Sequence, residues 1–168
     1  LPTHRWEPRT CLSPERQLAH TAAAEHLTAL MAEGFMLDEN ILAEMDPRMA
    51  ALWAWHAVEE TEHKAVAFDV LRTVSGDEWV RRSQMALTTV LFVGYTSYDF
   101  YRLMKDSGYA RDVGLWLRGM DYFWGRKGVF RKMIPAYVQY YRRDFHPWDH
   151  DSTALVARIK RKYLGDKA

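Results

Sequence analysis

The sequence predicts an all-α protein, a single helical domain without a sheet. Its 168 residues are enough to bury one core, and 48% apolar with 27% charged residues is a globular composition. Capping residues precede helix-compatible runs at Ser13, Asp46 and Asp77, and Pro14 and Pro47 stand at first helical positions. No alternating apolar and polar run is bounded by hairpin turns, so we expect no strands.

The helices follow from these signals in chain order, within one domain over 1–168. The first is predicted at 13–34, because Gly34 suits a helix end. The second is predicted at 47–75 as one unbroken helix, since no Gly or Pro interrupts it. A basic helical half is predicted over 77–165, with further helices at 77–105, 109–125, 129–144 and 152–165.

Charge and cysteine content exclude several classes of function. Residues 1–84 hold 14 acidic and 8 basic side chains, whereas residues 85–168 hold 8 acidic and 15 basic. No nucleic-acid-binding signature accompanies the basic half, so we expect it to pack against the acidic half and to bind no nucleic acid. The single cysteine, Cys11, indicates a reducing compartment and hence the cytoplasm. The longest apolar run, residues 85–95, is too short to span a membrane, and we expect no membrane contact.

The second helix carries the residues with the most chemistry. At 100° per residue, His56, Glu60 and His63 fall within about 60° of one another and share their stripe with apolar residues. We therefore predict that this stripe is the buried face. Buried ionisable groups need a compensating charge, and a metal ion provides one.

The spacing of these residues also favours a metal. Glu60 and His63 form a Glu-x-x-His motif, which projects an oxygen and a nitrogen to one side of a helix. Carboxylate with imidazole suits iron, manganese or zinc. On the first helix, Glu25 lies within a stripe of mostly small apolar residues that leaves room for a metal cluster. The predicted ligands are Glu25, Glu60 and His63; the alternative is a hydrogen-bonded polar core or a solvated acidic ridge.

Four segments resemble the bacterial family of predicted metal-dependent hydrolases. They are residues 23–29, 46–47, 55–70 and 145–149, of which 55–70 (WHAVEETEHKAVAFDV) is the most specific. The resemblance implies a ferritin-like helical bundle with a carboxylate-bridged metal site, which favours two iron ions over manganese or zinc.

The ligand set is only half of a ferritin-like one. That pattern needs a Glu from each of two helices and a Glu-x-x-His from each of two others, and this chain offers one of each. We expect either a homodimer or a missing N-terminal segment to complete the site. The chain begins with Leu1 rather than Met, which is consistent with a C-terminal fragment of a longer protein.

Three functions remain open from the sequence. In a metal-dependent hydrolase acting on a small molecule, the metal activates water and Glu59 or His56 moves protons. In a di-iron oxidase or oxygenase, the same site lies beside an apolar pocket. In a non-catalytic helical module, the polar stripe is a structural metal site or an oligomer interface.

Overall fold

The computed structural model describes residues 12–37, 39–126 and 128–165, and it is helical without a strand in those ranges. The predicted all-α class is therefore confirmed. The α-helices are α1 Pro14–Leu37, α2 Glu39–Ala43, α3 Pro47–Glu62, α4 Val66–Val74, α5 Glu78–Asp106, α6 Val113–Trp124, α7 Val129–Gln139 and α8 Thr153–Ile159. A 3₁₀ turn spans Pro147–Asp149, and a π-helical turn, Lys160–Leu164, extends α8.

Side-chain caps begin the helices where the sequence indicated. The Asp46 carboxylate accepts a hydrogen bond from the backbone N–H of Arg48, and Asp77 accepts from two N–H groups at the start of α5. These caps satisfy donors that have no partner within the helix. The starts of α1, α3 and α5 are thus confirmed, whereas α1 continues past Gly34 to Leu37.

Helix α1 lies at the centre of the bundle. It contacts α3, α4, α5, α7 and α8. Its buried alanines, among them Ala19, Ala22, Ala29 and Ala32, let these helices approach closely on several sides. One core cluster joins α1 to α4, α5 and Tyr140, and a second joins it to α2, α3 and α8.

The predicted unbroken helix at 47–75 is wrong, because the chain breaks between α3 and α4. The backbone leaves the helix at His63 and re-enters it at Val66. Lys64 turns into the protein, where its ammonium group finds buried partners on α1 and near α8. Glu25 of α1 accepts the N–H of Ala67 at 2.9 Å and so caps the new helix. These long-range contacts stabilise the break between α3 and α4, and no glycine or proline in the sequence indicates it.

The predicted buried face of α3 is also wrong. The buried residues of α3 are Ala50, Ala54, Ala57, Val58 and Thr61, which lie about 100° around the helix from Glu60. The stripe that carries His56, Glu60 and His63 faces outward instead. The physical reason is side-chain size, because the alanine side lets α3 pack closely against α1. No element of the described ranges covers the other side.

The second half of α5 and all of α6 project from this core. Large apolar side chains are exposed there, including Val93, Leu103, Val113 and Leu117. Within the described residues, no helix combines the length and the apolar content needed to cross a membrane.

Candidate metal centre

Four ionisable side chains of α3, which we call the His–Glu face, form two pairs. They are His56, Glu59, Glu60 and His63. The Nε2 atom of His56 lies 3.8 Å from Oε1 of Glu60, and Nδ1 of His63 lies 3.7 Å from Oε2 of Glu59. Each pair spans one helical turn, which is the spacing at which helical side chains meet. The face combines two imidazoles and two carboxylates that contact one another only loosely.

The four side chains are accessible to a ligand. Their exposed fractions are 51% for His56, 39% for Glu59, 30% for Glu60 and 64% for His63. Exposed pairs at this distance contribute little to folding, since solvent screens them. The His–Glu face is therefore free to rearrange around a bound ion.

Glu25 has a structural contact that the sequence did not reveal. This partly buried carboxylate uses Oε2 to cap α4 through Ala67, four residues after His63. Glu25 thus reaches the junction that follows the His–Glu face. Among the described residues, however, no group of three or more His, Cys, Asp and Glu side chains is arranged to hold a metal ion. The convergence of Glu25, Glu60 and His63 on one ion stays a prediction.

The His–Glu face fits part of a metal site. Two ligands of one ion, each about 2.0–2.2 Å from it, lie roughly 3 Å apart. The two pairs are within 1 Å of that separation. Imidazole with carboxylate is a donor set for zinc, iron or manganese. Each pair supplies two donors, so an ion held by one pair needs further ligands.

A second polar group, which we call the inner cluster, lies inside the protein. Its members are Glu33, Lys64, His150 and Ser152. The Lys64 ammonium is 3.3 Å from Oε1 of Glu33 and donates to the His150 carbonyl at 2.6 Å and to Ser152 Oγ at 3.2 Å. Ser152 Oγ also donates to Glu33, and the His150 ring lies 2.9 Å from Oε2 of Glu33. Every charged atom in the cluster therefore has close partners.

His26 adjoins the inner cluster. On a helix His26 lies about 100° from Glu25 and so off the apolar stripe, which predicts an edge or surface position. That prediction is wrong, because its exposed fraction is 6% and its ring packs against Tyr140 and Phe145. Burial lowers the pKa of His26 to about 4, although a hydrogen bond to the backbone of Ala136 acts to raise it. Its Nε2 atom has no protein partner and faces a cavity of about 10 Å³, roughly the space of one water molecule.

The inner cluster was missed because its members are far apart in the chain. Glu33 and Ser152 are separated by 119 positions. One signal was available, since His26 and Glu33 are seven residues apart and so lie on one side of α1 with buried Ala19 and Leu30.

The turn after α7 has a structural role. His146 accepts the Trp148 N–H, Asp149 accepts the His146 N–H, and the His146 ring lies 2.8 Å from Asp69. The alternating His and Asp residues of 146–151 could indicate a second metal site, but Pro147 favours a capping loop, and these contacts agree with the loop.

Comparison with known proteins gives one match. A family model described as "predicted metal-dependent hydrolase" matches residues 3–151, which include the whole His–Glu face and three members of the inner cluster. No curated protein and no solved structure matches the chain.

Proposed function

Because the chain belongs to the predicted metal-dependent hydrolase family, we propose that it hydrolyses a small molecule with a divalent metal held on the His–Glu face. The observation that carries this proposal is the presence of two His–carboxylate pairs on one accessible side of α3. The resemblance to a ferritin-like carboxylate site makes two iron ions the first candidate, with manganese or zinc as alternatives.

The contacts suggest a role for each residue of the His–Glu face. Glu60 and His63, one member of each pair, are the proposed ligands because of their Glu-x-x-His spacing, with Glu25 as a third after a shift of its side chain. Glu59 lies at Nδ1 of His63, so it orients that ring and leaves Nε2 for the ion. His56 lies beside Glu60 and is placed to accept or donate a proton. A bound metal supplies an activated water and polarises the scissile bond.

A di-iron oxidase is the second candidate, favoured by the apolar surroundings of the face. Met49, Leu52 and Trp53 are exposed next to His56, and the ring centroids of Trp53 and His56 are 5.9 Å apart. An apolar substrate would find contact area there. Oxygen consumption by the ferrous protein distinguishes this function from hydrolysis.

The test is metal affinity, measured by equilibrium dialysis with Zn²⁺, Mn²⁺ and anaerobic Fe²⁺. We expect Glu60→Gln and His63→Ala to weaken binding by about 100-fold or more, because each removes a ligand. The matched control is Glu62→Gln, a carboxylate on the opposite side of α3 that pairs with Lys160. Equal affinity of Glu60→Gln and Glu62→Gln would contradict the proposal.

A further inference from the structure

Helix α6 carries one continuous apolar surface, which we call the α6 stripe. Its members, 50–68% exposed, are Val113, Leu117, Met120 and Trp124. At 100° per residue they fall within about 60° of one another along a single unbroken helix, so they form one face. Most of the 12 residues of α6 are apolar, yet none is buried. An exposed helix of this composition marks a surface that another apolar phase covers.

The contacts of α6 with the rest of the protein direct this stripe outward. The ring of Trp116 lies 5.5 Å from that of Phe100 on α5, and Phe123 stacks on Phe130 of α7 at 4.8 Å. Trp116 and Phe123 lie about 100–120° around the helix from Leu117. These ring contacts hold one side of α6 against the protein, and the α6 stripe therefore stays on its outer surface.

The surroundings of the α6 stripe are basic. Residues 102–132 hold 8 basic and 3 acidic side chains, a net charge of +5. Arg111, Arg118 and Arg126 stand before, within and after α6, and all three are exposed. None of them forms an ion pair with a residue of the described ranges, whereas the carboxylate of Asp112 is engaged in capping α6. An anionic partner would therefore meet unneutralised arginines on this part of the surface.

We infer that the α6 stripe binds the surface of an anionic lipid bilayer, with α6 lying parallel to the membrane plane. The apolar side chains then enter the boundary between headgroups and acyl chains, and the arginines reach the lipid phosphates. This mode of binding requires one apolar face and no spanning segment. The short apolar run at 85–95 excludes a span and has no bearing on a helix in the interface.

The combination of apolar and basic side chains favours a lipid surface over other occupants. A second copy of the chain would bring two surfaces of net charge +5 together, and like charges repel one another. A nucleic acid offers phosphates but no apolar phase for the four side chains of the α6 stripe. An anionic bilayer offers both.

The experiment is co-sedimentation of the 168-residue chain with lipid vesicles in EDTA, so that it does not depend on the proposed metal site. One vesicle is phosphatidylcholine, and the other contains about 30% phosphatidylglycerol. We expect binding to the anionic vesicle that weakens at least about 10-fold between roughly 0.1 M and 0.5 M NaCl. Leu117→Ser should weaken it at least about 10-fold, because it removes apolar contact area. The matched control is Leu52→Ser on α3, a leucine of similar exposure, which should bind as wild type does.

Two further variants test the charges beside the stripe. Arg118 lies about 100° from Leu117 and Asp121 about 40° from it, and both are exposed. Arg118→Gln should weaken binding to the anionic vesicle about 5-fold, and Asp121→Asn should strengthen it by a similar factor. Both effects should disappear at the higher salt concentration.

Each outcome decides for or against the lipid surface. Equal binding by Leu117→Ser and wild type overturns the inference, provided that circular dichroism shows both to be folded. Absence of binding to either vesicle also overturns it. A lipid-free dimer that Leu117→Ser dissociates would show instead that a second copy covers the α6 stripe. Binding to the anionic vesicle with the expected order of variants supports the inference even if the protein binds no metal.

Discussion

The inner cluster and the His–Glu face combine carboxylates with basic side chains in opposite ways. Lys64 and Glu33 are buried, with side-chain exposed fractions of 3% and 7%, and all their contacts are close. His63, the residue before Lys64, is exposed and loosely paired. A fully satisfied buried network fixes a unique structure, whereas a loosely paired exposed one retains capacity for a ligand. Lys64 thus contributes to folding, whereas His63 next to it is a proposed metal ligand.

The largest expected effect comes from breaking the inner cluster. Lys64→Met leaves the Glu33 carboxylate buried without its cation, and we expect a loss of about 3–5 kcal/mol in the free energy of unfolding. Urea denaturation measures it. The matched control is Lys160→Met, whose exposed partner is Glu62, with an expected loss below about 1 kcal/mol. Equal losses in the two variants would mean that the buried Lys64–Glu33 pair contributes no more to stability than the exposed Lys160–Glu62 pair.

The second prediction concerns pH and His26, beside the inner cluster. Burial lowers the pKa of His26 from its ordinary 6.5 to about 4 in the folded protein, so the folded state favours the neutral ring. This contribution to stability is complete above about pH 6.5 and is lost as the pH falls toward 4, by about 3 kcal/mol. Urea midpoints from pH 7 to pH 4 should therefore fall less steeply for His26→Gln. Parallel pH profiles for wild type and variant would argue against a buried neutral histidine.

The third prediction concerns Glu25, which combines a structural and a proposed functional role. It caps α4 and is also a proposed ligand. Glu25→Ala removes the acceptor of the Ala67 N–H, and we expect a loss of about 1 kcal/mol in metal-free protein. Thermal unfolding in EDTA measures the cap alone, and repeating it with Zn²⁺ adds any ligand role. An unchanged melting temperature in EDTA would show that the cap is not formed in solution.

The smallest expected effect is on the His–Glu face without metal. Glu60→Gln should change the free energy of unfolding by less than about 0.5 kcal/mol, because its contact with His56 is long and exposed. Urea denaturation in EDTA checks this. A loss as large as that of Lys64→Met would mean that the face is structural.

The sequence predicted the local structure better than the packing. Asp46 and Asp77 were placed correctly as caps, because a cap depends on residues within one turn. Periodicity could not predict that His56 and Glu60 face outward. The side of α3 that carries them also has apolar residues, as has the side formed by Ala50, Ala54 and Ala57. Which side is buried depends on the helices that arrive there.

The candidate site was found by motif, and its surroundings were not. Glu-x-x-His is a local pattern on one helix, so Glu60 and His63 could be singled out from spacing alone. The burial of Lys64 depends on Glu33 and on Ser152, 88 positions later in the chain. No local rule predicts that one residue of the pair His63–Lys64 faces solvent and the next faces the core.

The inner cluster also bears on how fast the chain folds. Its Lys64–Glu33 contact spans 31 positions, but the Ser152–Glu33 contact spans 119, so the chain must close a long loop before the cluster is complete. Helical proteins usually fold quickly because their contacts are local. We expect α1, α3 and α4 to assemble first and the segment from His150 through α8 to dock last. The rate of folding is then set by the return of the C-terminal segment rather than by helix formation.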